Sequence, residues 1–166
     1  MNKELSFLAE KVLKKNTNVI LQEIERLMEK DGVGDVLGKT NNRDEADKNS
    51  KKNNRKGNSK VPGRTQFKGL MDATCEASCI EELILFISYQ KSKDEGWRNK
   101  CSNGKDIAQN VADSLMNIQK SVYTEIENEA KISNQEIDRE DDRILRLRIA
   151  EKYMGYLYWK VSVVSR

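Results

Sequence analysis

The residues best placed to do chemistry in this chain are its cations. Arg139, Arg143 and Arg146 fall at i, i+4 and i+7, on the polar side of a predicted C-terminal helix. Lys91, Lys93, Arg98, Lys100 and Lys105 gather around Trp97, and Arg64 and Lys68 flank the start of another helix. Cations at such spacing can hold nucleic-acid phosphates, which attract by charge alone and need no base-reading groups. The competing account is an ordinary mixed-charge surface, since Glu136, Glu140 and Asp142 lie close enough to pair with the arginines. Trp97 is expected to be an apolar anchor folded back from a loop; its rival use is a stacking platform for a base.

Other chemistries find less support. The chain has no histidine, which removes the usual general base, the commonest metal ligand and every Ser–His or Cys–His nucleophile pair. Neither GxxxxGK[ST] nor GxGxxG occurs. Glu140, Asp141 and Asp142 stand at a helix start, where carboxylates complement the macrodipole. Cys75 and Cys79 can share a helix face, yet with Cys101 they make three thiolates, one short of a closed zinc site. Small buried cysteines are the expectation. No catalytic residue, metal or cofactor is therefore expected, and the chain is read as a non-enzyme.

Of 166 residues, 37% are hydrophobic and 34% charged, with one proline and nine glycines. That composition favours long helices, a modest core and a large solvated surface. No apolar run is long enough to span a bilayer, and MNKELSFLAEKVLKK has no signal-like apolar core. An odd number of cysteines fits a reducing cytoplasm. The net charge of +3 is uneven: Lys39 to Arg64 holds nine Lys/Arg and three Asp/Glu, or +6, so the rest carries 21 − 24 = −3.

The elements that must position these cations follow from apolar periodicity. Residues 3–30 are helical, with Asn16-Thr17-Asn18 between two apolar faces; Thr17 or Asn18 is a candidate cap, and Gly32 and Gly34 end the run. Residues 39–60 lack periodicity and any aliphatic residue larger than Ala46, so a mobile basic insertion is expected at 39–62, entering the next helix through Val61-Pro62-Gly63. Thr65 to Gln90 reads as the central helical pair. Phe67, Leu70, Met71 and Thr74 mark one helix; Ile80, Leu83, Ile84 and Ile87 mark the second, widened by Leu85, Phe86 and Tyr89, with Ser78 and Glu81 as a capping box. Ile107, Val111, Leu115, Ile118, Val122 and Ile126 step by 4, 4, 3, 4 and 4. Leu147, Ala150, Met154, Leu157, Val161 and Val164 form a seam of the coiled-coil type. Tyr153, Tyr156, Tyr158 and Trp159 surround that seam, expected as packing with polar tips at the surface. Gly155 within it is expected to admit a neighbouring helix closely. The predicted fold is an all-α bundle of about five helices in a single domain, 1–166.

Thr65-Gln66-Phe67-Lys68 resembles the S/T-Q-(aliphatic)-R/K entry into the main helix of the small, all-helical subunits of type III CRISPR effector complexes. Phe86 to Arg98 (FISYQKSKDEGWR) is similar to the helix end and loop that follow in some of them, and Arg148 to Val164 to their last helix. Phe67 stands where the pattern has an aliphatic residue, and the basic insertion is additional. The resemblance implies a non-catalytic subunit that stacks with copies of itself along the guide-RNA and target-RNA duplex. Such a subunit touches the backbone and bridges other effector subunits, with no membrane and no small-molecule substrate. Arg64, Lys68, Lys91, Lys93, Arg98, Arg139, Arg143 and Arg146 are the candidate RNA contacts. The alternative is a helical adaptor that pairs with a protein partner through the 147–164 seam. A helix-turn-helix at Ala77-Ser78 is disfavoured, because Ile80 to Ile87 is too apolar to face a groove.

Overall fold

The computed structural model describes residues 1–38 and 61–164. Seven α-helices are present among them: α1 (Lys3–Lys15), α2 (Thr17–Glu25), α3 (Val33–Gly38), α4 (Arg64–Glu76), α5 (Ile80–Lys93), α6 (Ile107–Ile132) and α7 (Arg139–Val164). The all-α bundle is as expected. The helix count is higher because the first 30 residues divide at Asn16 into two α-helices and a short helix, α3, follows. The expected insertion lies outside the described residues, apart from Val61 and Pro62, which are half-buried and buried.

Helices α6 and α7 form the antiparallel centre. The Tyr153 hydroxyl donates to Ser114 Oγ at 2.8 Å, Gln119 Nε2 donates to the Arg146 carbonyl at 2.7 Å, and Arg146 lies over the Tyr123 ring. All six apolar residues of the α6 stripe are at most 2% exposed. On α7, Ala150, Met154, Leu157 and Val161 are buried as the seam predicts, but so are Leu145, Ile149 and Tyr153. The buried face is thus broader than a two-stranded seam, and α4 and α6 cover it. A partner pairing through 147–164 would have to displace the chain's own helices, at about 1.5–3 kcal/mol for each large apolar side chain uncovered. Tyr153 does not keep its tip at the surface; it is fully buried.

Helices α1 and α2 run antiparallel to α6, tied to it by Asn16 Nδ2 to Glu125 (2.7 Å) and Asn117 Nδ2 to Glu23 (3.2 Å). They are separated only by Asn16, whose amide also donates to the Val12 carbonyl. No cap forms at Thr17 or Asn18; the Thr17 hydroxyl donates back to the Leu13 carbonyl. After α2 the chain widens into a π turn, Arg26–Lys30, which places Arg26 between Glu23 and Asp31. Gly32 ends it at φ +79°, where a Cβ would also lie 3.0 Å from the Ser102 backbone nitrogen. Gly34 belongs to α3 instead of ending the run.

Helices α4 and α5 form a hairpin on this centre. Gln66 Oε1 accepts the Gly63 N–H at 3.0 Å, and Phe67, Leu70 and Thr74 face inward as predicted. At the turn, Glu82 rather than Glu81 accepts the Ser78 N–H (2.7 Å), and Cys79 takes the cap position. Ile80, Leu83 and Ile87 are buried, but Leu85 and Tyr89 are 70% and 52% exposed. Apolar content here exceeds burial, so α5 is a cover and not the central helix. One cluster of buried apolar residues draws on all seven helices.

Candidate nucleic-acid interface

The predicted cations separate into two groups at opposite ends of α4. The hairpin brings the start of α4 beside the end of α5, as the Phe67–Trp97 ring contact shows at 5.1 Å. The 13 residues of α4 then put about 20 Å between that end and the turn at Ser78.

The first group surrounds Trp97. That residue is fully buried in a 3₁₀ turn, Glu95–Arg98, opened by Asp94 Oδ1 accepting the Gly96 N–H. It is the anchor expected and offers no ring to a base. Around it, Arg98 donates from Nε to the Lys91 carbonyl and from an Nη to the Ser92 carbonyl, both at 2.9 Å. These are carbonyls at the C-terminal end of α5, where a cation is favoured. Lys93 Nζ lies 5.9 Å from the Tyr89 ring centroid. Arg64 donates from Nε to the Tyr158 hydroxyl at 3.0 Å and stands 5.8 Å from its ring centroid, and that contact lowers the Tyr158 pKa. Lys68 pairs with Asp72 at 2.8 Å, which raises the lysine's pKa. Lys91 pairs at 2.7 Å with Asp106, a buried carboxylate that Lys100 also approaches at 3.9 Å. Burial pushes the Asp106 pKa up, but the Lys91 contact and the Gln109 N–H outweigh it and hold it below the usual range. Lys105 pairs with Asp113.

Three of these cations, Arg64, Lys93 and Arg98, are therefore held by neutral partners: a phenol, an aromatic ring and two carbonyls. Their positions are restrained while their charge is not cancelled by those partners. An anion arriving there loses less to ordering than it would on free side chains.

The second group, at the α7 N-terminus, is different. Arg146 Cζ lies 3.9 Å from the Tyr123 ring centroid, and Arg146 Nε pairs with both Asp142 oxygens at 3.0 and 3.1 Å. Burial raises the Tyr123 pKa, and the neighbouring Asp142 adds to the effect. Arg146 thus clamps α6 to α7, and Asp142 meets its charge. Arg139 and Arg143 are exposed and line a cleft of about 860 Å³ with Ser78, Cys79, Ile80, Glu81, Glu140, Asp142 and Arg146. Three carboxylates there face three guanidinium groups, so the cleft presents no excess positive charge. Of the eight predicted contacts, Arg64, Lys68, Lys91, Lys93 and Arg98 lie at one end of the α4–α5 hairpin, and Arg139, Arg143 and Arg146 at the other.

Tyr158 and Tyr89, which hold two of the cations, are not found by sequence reasoning. The Tyr89–Lys93 pair has a signal in its i, i+4 spacing; Arg64 and Tyr158 are 94 residues apart and have none. The cysteines follow expectation only at Cys101, whose thiol is buried and its pKa raised by that burial; Cys75 is exposed and Cys79 half-buried. No group of three or more His, Cys, Asp or Glu that could hold a metal occurs among the described residues, and no helix among them is long and apolar enough to cross a membrane. Comparison of the chain with family models, curated proteins and solved structures finds no match.

Proposed function

We propose that the chain is a non-catalytic RNA-binding subunit of an RNA-guided effector complex of the type III CRISPR kind. It contacts guide- and target-RNA backbone in the cytoplasm and bridges neighbouring subunits. The observation that carries this reading is the group Arg64, Lys93 and Arg98: three cations fixed on neutral partners at one end of the bundle, with Lys68 and Lys91 beside them. Backbone phosphates suit such a surface, because it offers charge in fixed positions without a base-reading code. The resemblance at Thr65 to Lys68 adds support, since that motif forms the first turns of α4 and carries Lys68 on its exposed side. A structural role agrees with the lack of histidine and of a phosphate-binding glycine loop. The test is purification of the tagged protein from its native host, followed by sequencing of bound RNA and identification of bound proteins. The reading expects short guide RNAs and large effector subunits; protein partners without RNA would contradict it.

A further inference from the structure

Asn103-Gly104 is the one Asn-Gly pair in the sequence, and it lies in the exposed turn between the 3₁₀ segment of Trp97 and α6. Asparagine before glycine has a chemistry of its own, because the glycine nitrogen has no side chain beside it and can reach the asparagine side-chain carbon. In this turn each group that such a step needs is already engaged. The Gly104 N–H donates to the Cys101 carbonyl at 3.0 Å. Asn103 Nδ2 donates to Asn110 Oδ1 at 2.7 Å, and Asn103 Oδ1 accepts from the Lys105 N–H at 3.0 Å and from Asn110 Nδ2 at 3.2 Å. Asn110 is 2% exposed in the first turn of α6, so the partner of the exposed amide is fixed in the core. Gly104 stands at φ +80°, and a Cβ there would meet nothing within 4 Å.

We propose that Asn103 is a latent modification site, deamidated by water when the turn opens, and that Asn110 sets how often it opens. The step needs no enzyme and no cofactor. Gly104 N gives up its proton and bonds to Asn103 Cγ; the Cγ–Nδ2 bond breaks, and Nδ2 leaves as ammonia with that proton. Water then splits the cyclic imide at either carbonyl and leaves a carboxylate, as aspartate or as its β-linked isomer. In the closed turn the Gly104 N–H is held against Cys101, and the Asn103 amide cannot rotate without parting from Asn110. The product cannot restore both bonds to Asn110. A carboxylate oxygen takes the place of Nδ2, a donor, and the other oxygen remains an acceptor, whereas Asn110 offers one of each. The same turn leads into Asp106, the buried partner of Lys91, so the modified chain holds that pair less firmly. The inference stands independently of the RNA-binding reading.

The full chain is held at mildly alkaline pH, in buffer and in concentrated urea, and the tryptic peptide Cys101–Lys105 is followed by mass spectrometry. Deamidation should be fast in urea and much slower in the folded chain. Asn110→Ala should speed it in buffer about 2- to 13-fold, the scale of one lost hydrogen bond, and leave the rate in urea unchanged. Leu83→Ala, which weakens the bundle away from the turn, should leave the folded rate unchanged. Gly104→Ala, which crowds the attacking nitrogen, should slow the reaction even in urea. Because Asn110→Ala removes a buried group, the wild type supplies a second reading: hydrogen exchange at the Gly104 amide should be slowed on folding by a factor of the same order as deamidation. Equal wild-type rates in buffer and urea, an Asn110→Ala rate equal to wild type, or equal acceleration by Leu83→Ala and Asn110→Ala would overturn the proposal. So would a Gly104 amide that exchanges freely while Asn103 stays intact.

Discussion

Arg64 in the first turn of α4 donates to the Tyr158 hydroxyl near the end of α7 at 3.0 Å. The bond joins two helices that also bury Phe67, Leu70, Leu157 and Val161, so the cation stands on a packed scaffold. Its partner is a neutral phenol, which leaves the guanidinium charge uncancelled. Arg146 has the same chemistry and the opposite situation, because Asp142 takes its charge and Tyr123 its face.

That contrast separates stability from binding. Arg146→Ala should lower unfolding stability by about 1 kcal/mol, the scale of a partly exposed cation–π contact with an i, i+4 pair. Urea denaturation measures this. RNA affinity of the folded variant should stay near that of wild type; a large drop in affinity at unchanged stability would return Arg146 to the interface.

Burial sets a second contrast, between two leucines on one helix. Leu83→Ala, at 1% exposure, should cost about 2–5 kcal/mol, whereas Leu85→Ala, at 70% exposure, should fall within about 0.5 kcal/mol of wild type. Leu115→Ala on α6 should match Leu83→Ala. Equal costs at positions 83 and 85 in chemical denaturation would mean that α5 is covered on both sides.

The same two residues show where the sequence is legible. The α6 stripe is readable because its apolar residues keep one face and its other face is polar, so period and burial agree. In α5 the apolar residues nearly encircle the helix, and the amount of apolar surface is a poor guide to which helix is central. The true centre, α6 with α7, depends on a broad α7 face that includes Tyr153, whose burial is made possible by Ser114, 39 residues away. The π turn at Arg26 also depends on partners, Glu23 and Asp31, and no periodicity reveals it. At the candidate site, residue types point to the cations. Which of them keep their charge depends on long-range partners such as Tyr158 and the buried Asp106, which spacing does not show.

Stability should fall in acid in a definite window. Glu23 is burdened by burial, but its bonds to Arg26, Asn117 and Ser114 leave its pKa below the ordinary value, and Asp106 is lowered likewise. A carboxylate with a depressed folded pKa contributes stability that is complete above its unfolded pKa and disappears as pH falls through the folded one. Unfolding stability should thus be flat near neutrality and drop as pH passes below about 4, the ordinary carboxylate range. Asp106→Asn should be less stable than wild type at neutral pH and show a shallower acid dependence. An unchanged acid dependence in that variant would remove Asp106 from the account.

The central claim is that cations held on neutral partners carry the RNA contact. The most direct measurement is the salt dependence of RNA binding by the triple variant Arg64→Ala, Lys93→Ala, Arg98→Ala, beside Arg139→Ala, Arg143→Ala as its counterpart at the other end of α4. Removing one phosphate-binding cation should flatten the log–log slope by roughly 0.7 on a single strand. With circular dichroism showing both folds intact, the triple variant should bind all sequences more weakly with a slope flatter by about 2, and the double variant should bind nearly as wild type. An unchanged slope in the triple variant, or a greater weakening in the double variant, would contradict the account.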